Sequence, residues 1–154
     1  MFTFVITLIV VLILCVILYY MFIGMPLTMI YMIRENKQTK REAEELEARD
    51  ALSCQHFDGL PAKRNERCRI FFLQDKVIIK ALKQDLNIEI PFEKVESIFL
   101  DKKRGVNTLN IVATDHKGIA HKMIFFDGFN NSKLKKIVKR VNKDYVGLHK
   151  TIQF

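Results

Sequence analysis

Cys54-Gln55-His56 places two metal-binding residue types side by side, and Cys68 supplies a third further along the chain. A zinc site takes four Cys or His ligands, usually arriving as two closely spaced pairs. Three ligands with one cysteine set apart fall short of that pattern. Cys68 therefore reads as the opening residue of a core strand, with Cys54 and His56 in a loop before it. A second cluster is Asp115, His116 and His121 around a His-Lys-Gly turn. On two antiparallel strands the histidines would approach each other beside the acid, the arrangement of a general base. Exposed turn histidines are the commoner outcome. Asp127 closes a strand in "FFDGFNN" and reads as a turn former. The chain has no phosphate loop, no nucleophile elbow and no HExxH helix, and its glycines stand singly. The expectation is a protein that is not an enzyme, with no catalytic residue, metal or cofactor.

Charge carries more information. The first 33 residues contain none of the 25 basic and 17 acidic side chains. Residues 34–52 hold five basic and six acidic ones, and residues 53–154 hold the remaining twenty and eleven. The net charge of +8 therefore arises in the C-terminal part, where a partner drawn by long-range charge would meet it.

Those charges need elements to position them. Residues 2–23 are apolar apart from two threonines and two tyrosines. At about 1.5 Å per residue the run covers about 33 Å, enough for a hydrocarbon core of about 30 Å. In lipid a single segment satisfies its backbone only as a helix. A transmembrane helix is expected over 1–24. A cleavable signal would need a basic start and a small residue before the cut, and this chain has neither, with Phe22 in the critical place. Arg34, Lys37, Lys40 and Arg41 follow the span, and no Lys or Arg precedes it. The positive-inside rule then puts the N-terminus outside and the C-terminal part in the cytoplasm of a single-pass cell-membrane protein. Three cysteines without a disulfide spacing agree with a reducing compartment.

Residues 25–53 read as a juxtamembrane spacer. Gly24 and Pro26 either end one helix and start another or kink a single one. Beyond them lie good helix formers, with Glu45 and Arg49 spaced to pair one turn apart. Ala43, Leu46 and Leu52 are too thin an apolar edge for a coiled coil. A solvated helix is expected, with weak self-association as the alternative.

A folded domain is expected over 54–149, followed by a tail at 150–154. After the turn-rich stretch 53–67, strand signals appear at 68–73, 76–82, 86–90, 95–103, 108–115 and 119–127. A helix from about Ser132 to Leu148 has Leu134, Ile137, Val138, Val141, Tyr145 and Leu148 on one side. Lys133, Lys135, Lys136, Lys139, Arg140 and Lys143 lie on the other. The fold class is α+β: two N-terminal helical segments, then a curved antiparallel sheet or barrel of about six or seven strands capped by an amphipathic helix.

The segment "IEIPFEKVESIFL" within this meander, with the single terminal helix, resembles bacterial pleckstrin-homology-like or GRAM-like domains over roughly residues 57–148. The resemblance implies a binding or scaffolding module. Members that bind phosphoinositides place basic residues in a long loop between their first two strands. Here the first two expected strands are joined by "LQD", short and not basic, so those residues are not carried over. The basic face is expected to be Lys133, Lys136, Lys139, Arg140 and Lys143, together with Lys102, Lys103 and Arg104 in the turn "DKKRGVN". Its partners would be anionic lipid headgroups, at about 1 kcal/mol per cation near the surface, or an acidic protein. Nucleic acid is the weakest candidate, since paired phenylalanines such as Phe71-Phe72 and Phe125-Phe126 usually divide between core and surface. The alternative function is a structural subunit of a larger membrane complex, with a homo-oligomer as one form of it.

Overall fold

The computed structural model describes residues 2–103, 105–126, 131–141 and 143. The chain separates into two compact units, Met1–Gln38 and Thr39–Phe154.

The first unit is helical. Helix α1 (Phe2–Tyr19) passes through one π turn (Tyr20–Gly24) into α2 (Met25–Glu45). Phe4–Glu45 is one helix, long and apolar enough to cross a membrane. Its Leu, Ile, Val and Phe side chains from Phe4 to Ile33 are exposed on every side. The helix does not restart at Pro26. The Met25 N–H instead reaches back five residues to the Tyr20 carbonyl. Proline has no N–H and its ring crowds the turn before it, and the wider π turn gives the ring room.

The second unit begins with the last turns of α2. The helix stops at Glu45, short of the expected spacer end at residue 53. Its end is a Schellman motif: Ala48 N–H bonds the Ala43 carbonyl and Glu47 N–H bonds the Glu44 carbonyl. Glu47 sits at φ 52° in the left-handed conformation that turns the chain out of the helix. Arg49 N–H then bonds the Phe72 carbonyl, and a strand begins at once. The helical spacing on which Glu45 and Arg49 were expected to pair is lost, because the helix no longer runs between them. Glu45 accepts from Arg41, 3.2 Å away.

Seven strands follow: β1 (Asp50–Asp58), β2 (Arg67–Phe72), β3 (Lys76–Ala81), β4 (Leu86–Pro91), β5 (Val95–Lys103), β6 (Val106–Thr114) and β7 (Ala120–Phe126). Helix α3 (Asn131–Val141) closes the order. All pairings are antiparallel, in the order β4-β3-β2-β1-β7-β6-β5. The six expected strands are present. The seventh, β1, occupies part of the stretch expected to be spacer helix and loop. It is the central strand, pairing Cys54 with Cys68 on one side and His56 with Phe125 on the other.

Alternation along β1 turns Leu52, Cys54 and His56 inward. They join Ile70, Phe72, Val77, Ile79, Leu109, Ile111 and Phe125. Both edge strands feed the same interior, through Ile90 of β4 and Ile98 of β5. Seven flat strands would span about 30 Å, too broad for one helix to cover, so the sheet must curl around its core. Leu134, Ile137, Val138 and Val141 of α3 are buried in it. The expected continuation of α3 to Leu148 lies outside the described residues beyond Lys143, as does Asp127.

The last turns of α2 lie on the opposite face of β2 and β3. The Arg69 guanidinium donates to the Glu42 carboxylate. Lys80 lies 3.7 Å from the other Glu42 oxygen and over the Phe71 ring. Thr39 is buried, and Phe71 is fully buried outside the main core. The end of the spacer is thus part of the folded domain rather than a solvated connection.

Candidate functional site

Three placements bring cations to one end of the sheet. Thr108 of β6 stands opposite both Asp101 of β5 and Phe126, the last residue of β7. Beyond that row the β5–β6 hairpin projects two further pairs, Lys102 with Asn107 and Lys103 with Val106. Helix α3 begins five residues after Phe126 and ends where Arg140 meets Asp50 at the start of β1. The hairpin tip and the helix therefore share one end.

The faces of α3 are cleanly separated. Buried Leu134, Ile137, Val138 and Val141 face the sheet, and Lys135, Lys136, Lys139, Arg140 and Lys143 face out. Lys102 is exposed on the hairpin. The side chains of Lys133 and Lys103, and Arg104 as a whole, fall outside what is described. Arg140 also has a role within the fold. Its guanidinium donates to both Asp50 oxygens, at 3.1 and 3.3 Å, and so pins the helix to β1. It is a structural latch first and a free cation second. Val106, an exposed apolar residue, stands at the same hairpin tip.

Arg34, Lys37, Lys40 and Arg41 are all exposed along α2, directly after the apolar run.

The candidate chemical clusters resolve into turn and core roles. Asp115 and His121 do meet, at 3.1 Å, while His116 is exposed on the turn between them. The other Asp115 oxygen accepts N–H bonds from Lys117 and Ile119. The Ile119 bond first, and then His121, hold its carboxyl down at about 2, far below the range of a general base near neutrality. Cys54, His56 and Cys68 are buried, and both His56 ring nitrogens are engaged by backbone groups. Among the described residues no group of three or more Cys, His, Asp or Glu side chains could hold a metal ion. Phe71, Phe72 and Phe125 are fully buried and offer no surface to stacked bases.

Sequence reasoning missed one basic feature. Because β1 precedes β2, the connection between the first two strands is 59–66, not "LQD". It carries exposed Lys63 and Arg64, the latter 4.1 Å over the Phe57 ring. Two observations could have signalled β1: the inward alternation of Leu52, Cys54 and His56, and Gly59 at a turn.

No protein-family model matches the chain, and no curated protein matches it. Among solved structures, it is similar to the C-terminal domain of an unknown protein from Leishmania infantum, at 9% identity and a TM-score of 0.50. The match covers 72% of this chain and 97% of that one, and at this identity it is a likeness of fold alone.

Proposed function

We infer that the protein is a single-pass membrane-anchored interaction module. Its domain, of the bacterial pleckstrin-homology-like or GRAM-like kind, faces the cytoplasm and engages the anionic membrane surface through α3 and the β5–β6 hairpin. The observation that carries this reading is the clean division of α3 into a buried apolar side and an outward row of lysines. Lys102 and the exposed Val106 at the same end add a cation and an apolar contact suited to a headgroup layer. Seven antiparallel strands followed by one helix support the domain assignment. The run of cations after the apolar helix supports the orientation. It acts by binding, a reading supported by the engagement of Asp115, His121 and His56 in holding turns.

The test is flotation of the Thr39–Phe154 unit with vesicles; a fragment starting at residue 53 would cut through β1. Recovery with anionic vesicles at low salt, reduced by Lys135→Glu, Lys136→Glu and Lys139→Glu together, is expected. Equal recovery with neutral lipid sinks the reading. Orientation is tested separately with Lys117→Cys in sealed cells: labelling by an impermeant reagent from outside would reverse it.

A second reading is a subunit of a larger membrane complex, built from copies of this chain or from other subunits. It is favoured by the length of the apolar helix. Residues 2–33 extend roughly 48 Å, well beyond a hydrocarbon core of about 30 Å. Exposed Leu27, Ile30 and Ile33 would be covered by a neighbouring helix in such an assembly. Cross-linking in mild detergent distinguishes the two.

A further inference from the structure

His56 is 3% exposed, yet it makes four hydrogen bonds to a single connection. Its backbone N–H donates to the Glu66 carbonyl and its carbonyl accepts from Asn65 N–H, both at 2.8 Å. Its ring supplies the other two. Leu60 N–H donates to Nε2 at 3.1 Å, and Nδ1 lies 3.2 Å from the Lys63 carbonyl. A backbone N–H demands a lone pair on Nε2, and a carbonyl demands a proton on Nδ1. The two contacts together select the neutral ring with its proton on Nδ1.

The surroundings decide what a second proton would do. From β7, Phe125 presents its ring at 6.2 Å, edge-on and uncharged. From β2, Cys68 faces the same interior, and Glu66, the last residue of the connection, is buried beside it. The Cys68 thiol is pushed up to about 11, by burial first and the Glu66 charge second, so it stays neutral across the physiological range. Glu66 is itself a clip. Its buried Oε1 accepts N–H bonds from Lys83 and Gln84 at the β3–β4 turn, while Oε2 is buried without a hydrogen-bond partner. Lys63 and Arg64 are exposed, and Lys63 meets the ring only through its carbonyl. The uptake of a proton at Nε2 sets one N–H against another. A proton on Glu66 weakens its acceptor oxygen, so both changes loosen the connections at this end.

The geometry points to His56 as an acid-sensitive latch: protonation of its ring from solvent at Nε2 expels Leu60 N–H and loosens the turn at 59–60, while the Nδ1 bond to the Lys63 carbonyl and the two backbone bonds hold the rest of the strap. This rests on the ring contacts alone and is independent of the membrane-binding role of α3.

The test uses the full chain in detergent micelles. Amide exchange at Leu60, corrected for intrinsic rate, is followed from about pH 7.5 to about pH 5, with Ile79 of β3 as the internal standard. Protection at Leu60 is expected to fall about tenfold relative to Ile79, the effect of leaving a buried N–H opposed. A constant ratio overturns the latch, as does an equal fall in His56→Gln. Should His56→Gln fail to fold, the wild-type ring nitrogen shifts decide. Loss of Leu60 protection that tracks protonation of Nε2 supports the latch, and loss while Nε2 remains unprotonated overturns it.

Discussion

The Arg69 guanidinium on β2 donates to the Glu42 carboxylate in the last turns of α2, tying the end of the long helix to the sheet. Arg69 is buried, and Glu42 is partly open to solvent with Lys80 beside it. Removing Glu42 takes a carboxylate from the buried guanidinium, whereas replacing both residues with apolar groups removes the charge along with it. Glu42→Gln is therefore expected to cost about 2–3 kcal/mol, at the low end for a broken pair because water reaches the site. The double replacement Glu42→Leu with Arg69→Met should sit closer to wild type than either single change. Denaturant unfolding of the Thr39–Phe154 unit measures all of these. Additive losses would mean that the pair does not couple.

Glu47 holds the left-handed position of the Schellman motif at φ 52°. Glycine adopts that conformation without a Cβ penalty, so Glu47→Gly should stabilise the domain by about 0.5–1 kcal/mol. A thermal melt that moves downward would show that the glutamate side chain contributes more than its strain.

The same position explains what could and could not be read in the sequence. The inward Leu86, Ile88 and Ile90 of β4 and the apolar stripe of α3 announce themselves by period alone, because burial of apolar groups needs no further partner. The end of α2 does not. Its stop residue is Glu47, followed by Ala48 and Arg49, where glycine or proline would have marked the boundary. Strand β1 was hidden for a related reason. Its inward His56 is polar, and it becomes a core residue only because Leu60 and Lys63 fold back onto its ring. Arg140 read correctly as the outer side of a helix, but its partner Asp50 lies ninety residues away, beyond any local pattern. The outward side of α3 was therefore legible, and the pinning of Arg140 to Asp50 was not.

Gly59 follows the irregular end of β1, at φ 89°. A Cβ there would stand 2.0 Å from the Lys122 carbonyl oxygen and 2.9 Å from the Met123 Cα. Neither is the tip of a flexible side chain, so β1 and β7 would have to separate. Gly59→Ala is expected to destabilise by at least about 3 kcal/mol, from the clash and the left-handed strain together. Gly118→Ala, also at positive φ but with open space around it, should lose only the smaller conformational part, about 1 kcal/mol. Equal losses at the two sites would remove the close approach as the cause.

Asp115 closes the β6–β7 turn through Ile119 and Lys117 N–H and through His121. Its folded carboxyl is held at about 2, below the ordinary value near 3.8. A depressed acid stabilises the fold fully above its unfolded pKa and loses that contribution as pH falls through the folded one. Protection of the Ile119 amide should therefore hold near neutrality and decline between about pH 4 and pH 2. In Asp115→Asn the turn should be looser at neutral pH and show no such step. A step of equal size in that variant would assign it to another carboxyl.

Cys54 and Cys68 face each other across β1 and β2 as buried thiols that form no disulfide. Burial raises the Cys68 thiol to about 11, the nearby Glu66 charge adds to the rise, and a hydrogen bond with the His56 backbone offsets part of it. Alkylation requires the thiolate and a path to it; Cys68 is denied both, and Cys54 is denied the path by its burial. At about pH 8 the two residues should react at least about a hundredfold more slowly in the folded chain than after denaturation. Mass spectrometry of each cysteine peptide reads this directly. Cys15 serves as the contrast, since it is exposed along α1 and its labelling should follow the permeability of the reagent rather than the folding of the domain. Glu66→Gln separates the two causes at Cys68. If burial dominates, the thiol stays slow to react while the β3–β4 turn loosens; if the charge dominates, reactivity rises with the fold intact.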